Sequence, residues 1–251
     1  SLTMAVVFLV VMGINTAALS SQPSEQSQKE VDAPVVAFNP HLGTYYYEIH
    51  WGALPVATAK ITIQKEGAHY RLKADQQTIG LIDRIYRFHF RGDTVVRSKD
   101  LAPKEVIIQE QKRRQVRKLK ARYNEGQPIE VVETLSEAKK EPKTNTYEIS
   151  TEPYVIDIYS AILLVRSLDW HQGKIQQFEV FTGKKRYSVT MECVGRRFFK
   201  LNKKQIPSWV IRPRVLKLGD PNAKPRYTNA RIYLSADESR NLLKIKADIG
   251  I

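Results

Sequence analysis

The sequence is nearly without cysteine: Cys193 is the single thiol in 251 residues. No intrachain disulfide can form, and no cysteine cluster can hold a metal. Histidine is sparse too. His41, His50, His69, His89 and His171 form no HxH or HxxxH pair, so a zinc site is not expected. No GxSxG frame surrounds Ser160, which excludes a nucleophile elbow. No glycine-rich loop follows a strand to cradle phosphate. After residue 33 no stretch rich in Gly, Ser or Pro divides the chain, and there is no internal repeat. Negative charge is in short supply, with 26 Asp and Glu against 40 Lys and Arg, a net +14. That excess favours anionic partners such as phospholipid headgroups, lipopolysaccharide phosphates or acidic polysaccharide. No catalytic residue, cofactor or metal ligand is identifiable, and a non-catalytic protein is expected.

What is present begins with one uncharged run. Leu2 to Leu19 carries no ionisable side chain, and Met4 to Met12 is almost wholly apolar. Its length and texture suit the core of an export signal, and Ala18-Leu19-Ser20 offers small residues for a peptidase. The basic segment that usually precedes such a run is missing. The expectation is a signal peptide over 1–20, with an uncleaved anchor as the alternative. A polar disordered linker over 21–34 and a single β-rich domain over 35–251, truncated at the C-terminus, complete the expected organisation. The protein is then periplasmic or outer-membrane-associated.

Apolar residues recur at period two through most of the remainder. Strands are expected at Thr44–His50, Val56–Gln64 and His69–Gln77, the last two joined by a turn at Lys65–Ala68. A short turn or helix follows over Gly80–Arg84. Further strands are expected at Ile85–Arg91, Asp93–Lys99, Glu105–Glu110, Arg113–Tyr123 and Ile129–Thr134. One clear helix interrupts them. Asp157 caps Ile158–Leu168, where Ile158, Ala161, Ile162, Val165 and Leu168 share one apolar stripe. Strands then resume at Ile175–Phe181, Lys185–Val194, Phe198–Asn202, Ser208–Pro213, Asn229–Leu234 and Lys244–Ile249. Cys193 alternates with Tyr187, Val189 and Met191 and reads as a buried small hydrophobe. The adjacent carboxylates Asp237 and Glu238 read as a solvated turn.

This pattern describes a mainly β (β-rich α+β) fold. The expectation is a curved antiparallel sheet or open half-barrel with one main helix packed on the concave face. A sheet that curls around a helix without sealing leaves an apolar cleft, lined from the helix by Ile158, Ile162 and Val165. The sharpest local feature is the basic run Lys112–Arg122, with seven positive charges. Read as one strand, it puts Lys112, Arg114, Lys118, Lys120 and Arg122 on one solvated side. That side is either a charged edge that deters aggregation or a contact for anionic headgroups. Nucleic acid is disfavoured, because only Tyr123 is available for stacking.

Four segments together carry a resemblance. They are the aromatic strand ending in Trp51-Gly52 with Val56–Ile63; Thr78-Ile79-Gly80-Leu81 with Ile85-Tyr86; Asp157, Ser160 and Arg166 followed by Gly173; and Ala230–Asp237 with Arg240 and Ile245–Gly250. In their order and spacing the chain resembles the exported bacterial proteins grouped as domain of unknown function 3108 (DUF3108). The resemblance implies a location in the Gram-negative envelope and a curved sheet similar to envelope lipoprotein carriers. It supplies no catalytic residues. The basic segment between Lys104 and Lys143 departs from the family pattern. Two roles are expected: a module binding lipid, lipoprotein or glycolipid in an apolar cleft, or an assembly factor docking another envelope protein through its basic surface.

Overall fold

The computed structural model describes residues 40–150, 154–227 and 229–247. The expected signal segment 1–20, the linker 21–34 and the end of the last expected strand lie outside the described residues. The fold is mainly β, built on open, curved antiparallel sheet with one main helix. The chain divides into two compact units, one spanning His41–Pro153 and one holding Tyr154–Ile251.

The first unit is a meander of eight strands: β1 (Gly43–Trp51), β2 (Leu54–Glu66), β3 (His69–Thr78), β4 (Phe88–Arg97), β5 (Pro103–Lys112), β6 (Gln115–Arg122), β7 (Ile129–Glu137) and β8 (Lys143–Ile149). A short helix, α1 (Gly80–Ile85), joins β3 to β4. Each strand pairs antiparallel with the next, and β1 and β8 remain as edges. Alternation sets the register. Ile63, Leu72, Thr94, Val106, Ala121 and Val131 pair in turn across six strands, and all are buried. A slip of one residue in any strand would expose its share of this row.

Polar residues intrude on the same buried face. Arg117 on β6 is 5 % exposed and lies between Glu110 on β5, at 3.4 Å, and Glu133 on β7, to which its Nε donates. Taking three charges out of water is tolerated only because each faces an opposite one. One expectation needs correction here. Asp93–Lys99 and Ile85–Arg91 are not separate strands. Gly92 lies inside β4, which runs unbroken from Phe88 to Arg97. The segment Lys143–Ile149, which no expected strand covers, is the edge strand β8.

The second unit contains β9 (Val155–Ile156), helix α2 (Ile158–Ser167), β10 (Ile175–Phe181), β11 (Arg186–Leu201), β12 (Lys204–Lys217), β13 (Arg231–Ser235) and β14 (Leu242–Lys246). Its sheet order is β14-β13-β12-β11-β10-β9. All pairs are antiparallel except β9 with β10. That pair is parallel because α2 is the crossover between them, and a helix crossover returns the chain in the same direction. The helix starts where expected. The Asp157 carboxylate accepts from the Tyr159 N–H at 2.8 Å and also holds the Ser160 N–H and hydroxyl, which satisfies two backbone donors of the first turn. Two expected strands, Lys185–Val194 and Phe198–Asn202, are one. A bulge between Cys193 and Gly195 lets β11 continue to Leu201 with its side-chain alternation inverted.

Candidate functional site

The face of the second sheet that meets α2 is apolar by register. Phe178 pairs with Val189, Ile211 with Ile232, Ile232 with Ile245, and Leu234 with Leu242. Directly paired residues project to the same side. Helix α2 lies over this face without filling it. A cleft of about 60 Å³ remains, roofed by Ile158, Ala161, Ile162, Val165 and Arg166 of the helix. Its floor comes from four strands, with Phe178 and Val180, Val189 and Met191, Ile232 and Leu234, and finally Leu242 and Ile245. Ile158, Ile162 and Val165, the three helix positions singled out from the sequence, all border it.

The helix is not amphipathic in the expected way. Tyr159, Leu163 and Leu164, off the expected stripe, are fully buried, while Ala161 and Ile162 on the stripe are only half-buried. The more exposed side of α2 is therefore the one that roofs the cleft. An apolar wall left partly uncovered suits a wall shared with something else.

Arg166 closes one end. It is buried, and its guanidinium donates to the carbonyls of Arg240 at 3.0 Å and Ser239 at 3.2 Å and to Asn241 Oδ1 at 3.2 Å. Arg240 answers from the other side, reaching Asp169 at 3.1 Å. The end of α2 is thus clasped to the β13–β14 turn. That turn is held by Asp237. Burial pushes its carboxyl up, but hydrogen bonds from Ser239, Ser235 and the Arg240 and Ser239 N–H groups bring it below its ordinary value. Asp237 and Glu238 accordingly belong to a turn, and Asp237 serves its geometry.

The single thiol of the unit is not primed for bond-making. Cys193 is buried, and desolvation raises its thiol above its ordinary range, only partly offset by a hydrogen bond with the Gly195 backbone. A nucleophilic cysteine needs the opposite shift. Among the described residues no three His, Cys, Asp or Glu side chains gather at metal-binding distance.

The basic run is not one strand. Lys112 ends β5, Arg113 and Arg114 form a two-residue turn, and β6 begins at Gln115. Arg113 takes φ +52°, a left-handed conformation that reverses the chain. The co-facial set of five is therefore corrected. Lys112 lies on the same side as Phe88, 5.5 Å over its ring, and contacts Glu110 at 3.6 Å. Arg114 is in the turn. Only Lys118, Lys120 and Arg122 share the outer side of β6, and Glu105 on β5 meets two of them, Lys120 at 2.7 Å and Arg122 at 3.8 Å.

The sequence reading missed the floor of the cleft, whose eight residues span Phe178 to Ile245. Their signal was the alternation of β10, β11, β13 and β14, but only the long-range register places them on one face. No curated protein and no solved structure matches the chain. Residues 46–251 match the family described as Protein of unknown function (DUF3108), which covers most of the sequence and both compact units, and the chain belongs to that family.

Proposed function

We propose that this chain is an exported, non-catalytic envelope protein that holds the apolar part of a lipid, lipoprotein or glycolipid in the cleft under α2. The observation that carries this reading is the cleft itself, open on an apolar sheet face and roofed by the less buried side of the helix. Its size limits what enters. A void of about 60 Å³ is less than half of the ~150 Å³ that admits a benzene ring. A chain terminus fits as the helix stands, and a longer acyl chain requires α2 to move away from the sheet. The uncharged Leu2–Leu19 run supports export, and the net charge of +14 suits an anionic envelope. The assembly-factor alternative has less support at β6, because Glu105 already engages two of its three outer cations.

The test is extraction and mass spectrometry of the protein purified from membranes, followed by titration with a fluorescent fatty acid. A co-purifying lipid displaced by the probe is expected. A lipid-free protein that does not take up the probe would refute the cleft as a binding site.

A further inference from the structure

The β11–β12 hairpin outruns the rest of its sheet. β10 pairs with β11 only over Arg186 to Glu192, and β13 pairs with β12 only from Ser208 to Ile211. Beyond those points Phe198, Phe199, Lys200 and Leu201 pair with Pro207, Ile206, Gln205 and Lys204, making an arm roughly 13 Å long at the usual rise per residue. The Phe199 ring, 5.8 Å from Tyr233, steadies its base. The turn is Asn202-Lys203, with φ +47° and +67°. Left-handed conformations at both positions match the twist of the strands. Glycine is the usual occupant of the second position, and here a lysine takes it.

Carboxylates balance part of the positive charge elsewhere in the unit. Arg186, Arg212, Lys217 and Arg240 are ion-paired with Glu179, Glu192, Asp220 and Asp169. Arg196, Arg197, Lys200, Lys203 and Lys204 on the arm meet no carboxylate at ion-pair distance among the described residues, and the sequence from Cys193 to Gly219 contains no Asp or Glu. Beside these cations two apolar side chains stand in solvent, Phe198 at 71 % exposed and Leu201 at 43 %. Protection of a strand edge accounts for the charges but gives no reason for an exposed phenylalanine among them. Cations beside apolar side chains along a projecting arm match an anionic bilayer, where phosphates meet the cations and the interface takes the rings and methyls. A nucleic acid needs a row of open stacking platforms. The arm offers one open ring, since Arg196 covers Trp209 at 5.6 Å and Phe199 leans on Tyr233.

We propose that the β11–β12 arm docks the protein on an anionic phospholipid surface, with Lys200, Lys203 and Lys204 on headgroup phosphates and Phe198 and Leu201 entering the interface. This surface is independent of the cleft, and either assignment stands if the other fails. The experiment is co-sedimentation of the full chain with vesicles of phosphatidylcholine alone and with roughly one third phosphatidylglycerol, at about 0.1 M and about 0.5 M salt. Binding to the anionic vesicles only is expected, weakened at least tenfold at high salt. The triple variant Lys200→Gln, Lys203→Gln, Lys204→Gln should bind at least tenfold more weakly, since each interfacial cation is worth up to about fivefold. Phe198→Ser should weaken binding while keeping the salt dependence. Unchanged urea midpoints in both variants would show that the fold is intact, as expected for exposed positions. Equal binding to neutral vesicles, or wild-type binding by the triple variant, would overturn the proposal. So would tighter binding of a single-stranded oligonucleotide than of anionic vesicles, which would assign the arm to nucleic acid.

Discussion

Filling the cleft should make the protein more stable and less useful. Ala161 is half-buried on α2 and lines the cleft. Leucine is nearly as good a helix former as alanine, so Ala161→Leu adds volume at little backbone cost. An unfilled void is destabilising by roughly 24 cal/mol per Å³, so one of about 60 Å³ corresponds to about 1.4 kcal/mol. Imperfect fit reduces the gain. The lipid-free variant should unfold at a higher urea midpoint, by an amount equivalent to about 1 kcal/mol, with an unchanged m-value. At the same time its uptake of a fluorescent fatty acid should fall. Leu163→Ala is the counterpart. Leu163 is fully buried, and its truncation should cost about 2–5 kcal/mol, as for other core leucines. A gain in stability coupled to lost binding is the mark of a void kept open for use. If Ala161→Leu destabilises the protein by more than about 1 kcal/mol, the space is already occupied by well-packed side chains. If it retains full uptake, the ligand lies elsewhere.

Two other outcomes are expected. Arg117→Leu removes the guanidinium shared by the buried Glu110 and the partly buried Glu133 and should cost about 3–5 kcal/mol by urea denaturation, the usual result of removing one partner of a buried ion pair; a loss below about 1 kcal/mol would mean water or other cations compensate them. A hydrogen bond from Arg212 holds the Glu192 carboxyl below its ordinary value against the opposing effect of burial. A group depressed in the folded state stabilises above the ordinary carboxylate range, and that contribution is lost as pH falls through its folded value. Glu192→Gln should therefore lower stability at neutral pH and flatten its decline below about pH 4, and an identical acid decline in both proteins would contradict the assignment.

The readable parts of the sequence were those where local signals agreed. β2 and β3 alternate cleanly around a glycine turn, and α2 has both a capping aspartate and helical spacing. Both were placed within a few residues. β8 was missed because Lys143–Ile149 is an edge: only Tyr147 and Ile149 are even half-buried, so no face declares itself. β11 was divided because a bulge inverts its alternation, and a period-two reading treats an inversion as an end. The turn at Arg113-Arg114 was invisible because it lacks Gly and Asn, the residues that ordinarily announce a left-handed conformation. The site was half legible for a related reason. The three helix positions sit within one local pattern. The opposing wall is assembled from strands whose partnership depends on registers that no short window contains.

The bulge that carries β11 into the arm gives the protein a built-in clock. The only sulfhydryl in the sequence, Cys193, lies at that bulge, 1 % exposed, with its N–H bonded to the Lys174 carbonyl and its carbonyl to the Gly173 N–H. A thiol reagent can reach it only when this junction opens. The labelling rate of the unmodified protein therefore measures how often the root of the arm detaches from the sheet, separately from global unfolding. No engineered probe is required. Comparing that rate with and without a membrane surface would show whether movement at the tip is felt at the root.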